Sequence, residues 1–177
     1  MKRYIITGTP GCGKTSIIVA LKTQGYFVIP EAATDIIAAE QTLGEEQPWL
    51  KPNFIDNIIE LQKKRQIEAD NLPSKIQFYD RSPICTYALA VYLGFEPSAV
   101  LMNEIERIQK NNIYEKRVFF LENLGFITNT DARKISFEES LKFEQIHLDT
   151  YSKFGYECVL VPAASIIERV STILRSI

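Results

Sequence analysis

Gly8-Thr9-Pro10-Gly11-Cys12-Gly13-Lys14-Thr15 is the stretch that decides the fold. Its spacing is G-x-x-x-x-G-K-[ST], in which a glycine-rich bend leaves a strand and opens a helix. The flanks agree: Tyr4 to Thr7 is a short β-rich run, and Lys14 to Thr23 reads as a helix closed by Gly25. With glycine near 7% of residues, one start position would match this spacing by chance only about 4 times in 100,000. Gly8, Gly11 and Gly13 permit backbone angles that turn successive N–H groups toward an anion and keep side chains out of its way. The positive end of the following helix adds to that field. Lys14 offers a mobile cation to the β- and γ-phosphates, and Thr15 a hydroxyl ligand to Mg2+. The run from Gly8 to Ser16, including Thr9, Pro10 and Cys12, is therefore expected to hold a Mg-nucleoside triphosphate, ATP first and GTP as the other option. Cys12 stands where a thiol could be activated, but it is read as a small residue that the bend tolerates.

Outward from the bend, apolar strands alternate with amphipathic segments, the pattern of an α/β fold with a parallel sheet. Strands are expected at Tyr26 to Ile29, Lys75 to Tyr79, Arg117 to Leu121 and Tyr156 to Val161. Helices are expected from Pro30-Glu31 to about Gln41, at Phe54 to Ala69, from Pro83 to Leu93 with Ser82 as cap, and at Pro97 to Lys110. Ser136 to Glu139 and Ser165 to Glu168 have capping-box spacing and open the last two helices. The fold predicted is a three-layer, doubly wound, five-stranded parallel sheet, one domain over residues 1–177, with a polar lid-like segment at about 122–140.

The 177 residues suit one core, and 46% apolar residues can fill it. Lys plus Arg number 20 and Asp plus Glu 22, a net charge of -2 that argues against a broad nucleic-acid or anionic-membrane surface. No run is long enough to span a membrane. Cys12, Cys85 and Cys158 show no metal or paired spacing, so free thiols and a cytoplasmic location are expected. His147, the single histidine, reads as a polar position on a helix.

Candidate chemistry gathers at strand ends. In P-loop kinases, which this loop resembles, the third strand lies beside the first, about 5 Å away. That places Asp80 beside Thr15 as a metal ligand. The alternation of Lys75-Ile76-Gln77-Phe78-Tyr79 fits a buried parallel strand less well, and a helix cap is the other reading of Asp80. Arg81 could grip a transferring phosphoryl group or an acceptor phosphate bidentately, or form a surface ion pair. Glu31, one strand further out, suits a general base for an acceptor hydroxyl, or a charge favourable to the next helix. Arg133, in the polar stretch with Asp131 and Lys134, could close over the nucleotide as part of a lid, or the stretch is a solvated surface loop. Trp49, Phe54 and Tyr87 are either pocket walls or core.

The glycine bend, Pro30-Glu31-Ala32-Ala33, Tyr79-Asp80-Arg81-Ser82, the Asp131/Arg133 segment and Gly155-Tyr156-Glu157-Cys158-Val159-Leu160-Val161-Pro162 together resemble the small AAA-like ATPases. These are similar to the ribosylnicotinamide kinase domain and, more distantly, to deoxynucleoside and thymidylate kinases. The resemblance implies sheet order 2-3-1-4-5, a lid between strands four and five, and a base at Glu31. It departs at Asp80, where the kinases' Glu-Arg-Ser has glutamate, and at Arg133-Lys134, where many have two arginines. The function expected is transfer of the γ-phosphoryl group to a small hydroxyl or phosphate acceptor. The alternative is a nucleotide-binding regulatory switch without an acceptor. Asp80-Arg81-Ser82-Pro83 and Asn129-Thr130-Asp131 fit neither of the motifs usual in GTPases.

Overall fold

The structure is a computed structural model that describes residues 1–51, 53–125 and 136–177. Five strands, β1 (Lys2–Thr7), β2 (Phe27–Ile29), β3 (Ile76–Asp80), β4 (Arg117–Leu121) and β5 (Glu157–Val161), form one all-parallel sheet in the order β2-β3-β1-β4-β5. Among the described residues seven α-helices connect them: α1 (Lys14–Thr23), α2 (Ala33–Thr42), α3 (Phe54–Ala69), α4 (Pro83–Leu93), α5 (Ala99–Lys110), α6 (Phe137–Lys153) and α7 (Ile166–Arg175). The expected class and sheet order hold. Differences fall at edges. The loop around Trp49 contains a 3-10 turn, Pro48–Leu50, and the last residues of the expected lid-like segment, 137–140, belong to α6.

The period of a strand sorts its side chains into two cores. Tyr4, Ile6, Phe78 and Phe119 face one side and pack with Ile17, Leu21, Val170 and Ile173 of α1 and α7. Ile5, Tyr79 and Val118 face the other and pack with Ile58, Ile84, Leu101 and Tyr151 from α3, α4, α5 and α6. Both cap boxes are present: Ser136 and Ser165 accept from the backbone of Glu139 and Glu168, whose carboxylates return to the serine backbones. Gly25, in the left-handed region at φ 87, ends α1; its N–H bonds Lys22 O at 2.9 Å and that of Tyr26 bonds Leu21 O at 3.1 Å. Ser82 precedes α4 but makes no side-chain cap bond. Its hydroxyl lies 3.0 Å from the Tyr151 hydroxyl instead. None of the described helices is long and apolar enough to cross a membrane.

The polar residue in β3 has a physical explanation. Gln77 is fully buried, its Nε2 donating to Ala69 O at 2.7 Å and its Oε1 accepting from the Tyr79 hydroxyl at 2.9 Å. It sews the end of α3 to the sheet, so an alternating strand is compatible with burial on both faces. Gln77→Leu should therefore destabilise the chain by about 1–3 kcal/mol, because Ala69 O loses its donor and Tyr79 its acceptor. Urea denaturation measures it, and Gln77→Leu with Tyr79→Phe should recover part of the loss.

Candidate active site at the carboxyl edge of the sheet

The bend after β1 is shaped by sterics. Gly8 sits at φ +150, where an added Cβ would lie 2.6 Å from the Leu121 carbonyl oxygen and 2.7 Å from Cys12 Sγ. Gly13, left-handed at φ 74, is the N-cap of α1 without a side-chain bond, so the first amides of α1 are not capped by its own chain at that point. Inside the bend the Cys12 N–H reaches Thr9 O at 3.2 Å. Thr15 and Ser16, in the first turn of α1, are exposed, whereas Thr9, Cys12 and Lys14 are buried. Burial raises the Cys12 thiol above its ordinary pKa, and the opposing charges of Lys14, Arg81 and Arg169 do not reverse this. Cys12 is thus a neutral packing residue, as expected for its place in the bend.

Two ion pairs stand side by side at the strand ends. Lys14 Nζ is 2.5 Å from Asp80 Oδ1, with both side chains nearly buried. Arg81 Nε donates to Glu31 Oε1 at 2.5 Å, again with both side chains almost covered. Arg81 is therefore not a surface ion pair, and Asp80 does not act as a simple helix cap. The two residues are adjacent in sequence yet serve different partners, and Arg81 itself sits in the left-handed region at φ 72, rare for a side-chain-bearing residue. Its N–H still extends the sheet pairing, bonding Ile6 O at 3.0 Å. Burial works against the Arg81 charge, but the neighbouring carboxylates of Glu31 and Asp80 outweigh it and keep its pKa above the ordinary guanidinium value. Glu31 is also gripped by Thr34, whose hydroxyl donates to Oε2 at 2.8 Å. Its backbone carbonyl accepts from Arg65 Nη1 of α3 at 2.6 Å.

Glu31 and Arg81 open onto a cavity of about 600 Å3, which Pro10 of the bend also lines. Its walls are largely apolar, with Trp49, Phe54, Tyr92 and Phe143 among them, and Gln62 supplies a polar point. Of the expected wall residues, Trp49 and Phe54 line it. Tyr87 does not: its ring packs edge-on against Phe154, and its hydroxyl accepts from Lys153 at 2.6 Å. Gln62, Tyr92 and Phe143 were not singled out from the sequence. Gln62 lies four residues after Ile58 and so shares the inner face of α3, and a polar residue in an apolar stripe is the signal that could have found it. Arg133, Asp131 and Lys134 lie outside the described residues.

Beneath the cavity Thr7, Ser82, Cys85 and Tyr151 form a chain of polar side-chain contacts. The Cys85 sulfur lies 3.1 Å from Thr7 Oγ1 and 2.8 Å from the Tyr151 hydroxyl. His147 is fully buried, edge-on to Phe143, with Nδ1 2.9 Å from Phe143 O. Burial, helped by the Arg81 charge, lowers its pKa to about 3. The reading of His147 as a polar helix position is corrected: it is on a helix, but as a neutral core residue.

A parallel 2-3-1-4-5 sheet whose first strand runs through this glycine bend into a helix defines a P-loop NTPase fold of the kinase type. The chain belongs to the AAA domain family, whose model matches residues 3–169. Solved structures share the fold. A deoxyadenosine kinase from M. mycoides with products dCMP and a flexible dCDP bound is 17% identical, with a TM-score of 0.62 over 98% of this chain and 97% of that one. The same enzyme with bound dCTP gives 15% identity and a TM-score of 0.63, over 99% and 98% of the two chains. With bound dATP the identity is 16% and the TM-score 0.58, over 98% of each. No curated protein sequence matches the chain.

Two outcomes follow from this geometry. Gly8→Ala should destabilise the fold by about 1–3 kcal/mol in urea denaturation, because Leu121 O is backbone and cannot move aside as a side chain would. His147 binds its proton more weakly folded than unfolded, so the unfolded state gains protons first as pH falls. Stability should then decline from about pH 6.5 downward. His147→Phe should flatten that part of the denaturation-versus-pH profile relative to wild type.

Proposed function

We propose that this chain is a Mg-ATP-dependent kinase that transfers the γ-phosphoryl group to the hydroxyl of a small, uncharged, nucleoside-sized acceptor. The observation that carries this reading is the cavity of about 600 Å3 whose wall runs from Pro10 of the phosphate-binding bend to Glu31 and Arg81. A molecule in it would lie between the triphosphate tail and a carboxylate, the arrangement that in-line phosphoryl transfer requires.

The charges favour a neutral acceptor. Among the described residues, Glu31, Glu46 and Arg81 are the charged ones that line the cavity, and Arg81 already neutralises Glu31. The remaining sign is negative, which repels a phosphate acceptor and tolerates a hydroxyl. Aromatic walls suit a flat ring, since stacking adds to burial. The fold shared with deoxyadenosine kinases supports the same class of acceptor.

The residues divide the work. The amides from Gly8 to Thr15, with Ser16 and the helix N-terminus, hold the phosphates, and Lys14 follows the charge that develops on the γ-phosphoryl group. The hard oxygens of Thr15 and Asp80 fit a Mg2+ ion, which takes few protein ligands and completes its shell with phosphate and water. Such an ion neutralises phosphate charge and orients the triphosphate. The Lys14–Asp80 pair supports this assignment: a triphosphate would give Lys14 a new anion and a metal would give Asp80 a new cation, so neither buried charge would be stranded. Glu31, oriented through Thr34 and Arg81, accepts the proton of the acceptor hydroxyl. Arg133 of the segment between β4 and α6 would add positive charge over the γ-phosphate.

Purified protein with Mg-ATP and a panel of nucleosides tests the reading, and ADP release that depends on the acceptor is the expected result. Glu31→Gln should lower kcat by about 10²–10⁴-fold while the KM for ATP changes little. ADP release that no acceptor stimulates would remove the kinase reading.

A further inference from the structure

Arg169 of α7 is a buried cation, only 3% exposed, that contacts three different segments through carbonyl oxygens. Nη1 donates to Cys12 O in the glycine bend at 2.6 Å. Nη2 donates to Glu122 O just beyond β4 at 3.2 Å and to Val161 O at the end of β5 at 3.3 Å. Among the described residues no carboxylate forms an ion pair with it. It also stands one turn into α7, close to the positive end of that helix, where a cation is disfavoured. Burial accordingly lowers its pKa, although arginine remains charged.

Removing Arg169 would leave the Cys12, Glu122 and Val161 carbonyls without this donor, so part of its role is structural. Geometry gives it a second role. The Cys12–Gly13 peptide unit is planar and trans, so its C=O and N–H point in opposite directions. Holding the Cys12 oxygen on α7 fixes the Gly13 N–H away from α7, as the phosphate cradle needs. The guanidinium also packs on Gly13 itself, where an added Cβ would lie 3.3 Å from Arg169 Nη1 and 3.2 Å from Leu124 Cδ1.

We infer that Arg169 is a positioning residue for the phosphate cradle: through its bond to the Cys12 carbonyl it sets the aim of the bend's amides before nucleotide arrives. This rests on the reading that the bend binds a nucleoside triphosphate. Preorganised donors bind an anion without the cost of ordering them at the moment of binding. The effect is on phosphate affinity rather than on the acceptor or the base.

Calorimetric titration of wild type, Arg169→Met and Arg169→Lys with Mg-ATP and with Mg-tripolyphosphate tests the assignment. Arg169→Met should weaken both ligands about tenfold or more, as expected for losing a charge-assisted hydrogen bond. Arg169→Lys should fall between, since a single nitrogen cannot occupy the positions of both Nη1 and Nη2, which divide the three carbonyls between them. At saturating ATP, kcat should stay within about threefold of wild type, so the defect appears in KM. Folded Arg169→Met that binds both ligands within twofold of wild type overturns the assignment. So does weaker ATP binding with unchanged tripolyphosphate binding, which would mean a contact to the base. If Arg169→Met does not fold, Arg169→Lys decides, and unchanged affinity there overturns it. Wild type that binds neither ligand refutes instead the nucleotide reading on which this rests.

Discussion

The carboxyl edge of this protein depends on the close approach of the Gly8 backbone to the Leu121 carbonyl and the Cys12 side chain. That contact leaves no room for a side chain. It presses the bend between β1 and α1 against the end of β4, and so determines where the amides of Gly11 to Lys14 can point. Lys14 then emerges from the first turn of α1 into a buried position, where, among the described residues, Asp80 answers its charge. A cation and an anion in such surroundings hold each other firmly. They can be separated at low cost only by ligands that supply the missing signs, and a metal-bound polyphosphate supplies both.

The same edge shows why Asp80 and Arg81 can act apart although they are neighbours. Asp80 is the last residue of β3 and pairs toward the centre of the sheet, opposite Ile6 of β1. The left-handed backbone at Arg81 breaks the strand's path while keeping one more sheet bond, and the guanidinium goes to Glu31 beyond β2. Strain of this kind persists where surrounding contacts over-determine the backbone. Here the Glu31 pair on one side and the Ser82–Tyr151 contact on the other hold the turn in place. Arg65 ties the Glu31 backbone to α3, the helix whose Phe54, Ile58 and Gln62 line the cavity.

By itself the sequence determined the local features. The spacing Gly8 to Thr15 requires a phosphate-type bend, the period of two in the strands separates the two cores, and Ser136/Glu139 and Ser165/Glu168 mark helix starts. These are legible because each rests on residues close together in the chain, whose sterics and hydrogen bonds are settled locally. Sheet order came from resemblance, and it agrees with a structure in which β2 lies beyond β3. Tertiary structure alone decided the pairings across long separations: Arg81 with Glu31, Arg169 with Cys12, Gln77 with Ala69 and Tyr79, and Gln62 in the cavity wall. It also decided that His147 is neutral and buried. The physical reason is that a side chain's charge state and partner depend on what covers it, and its cover is assembled from segments that meet only when the sheet and its helices have packed.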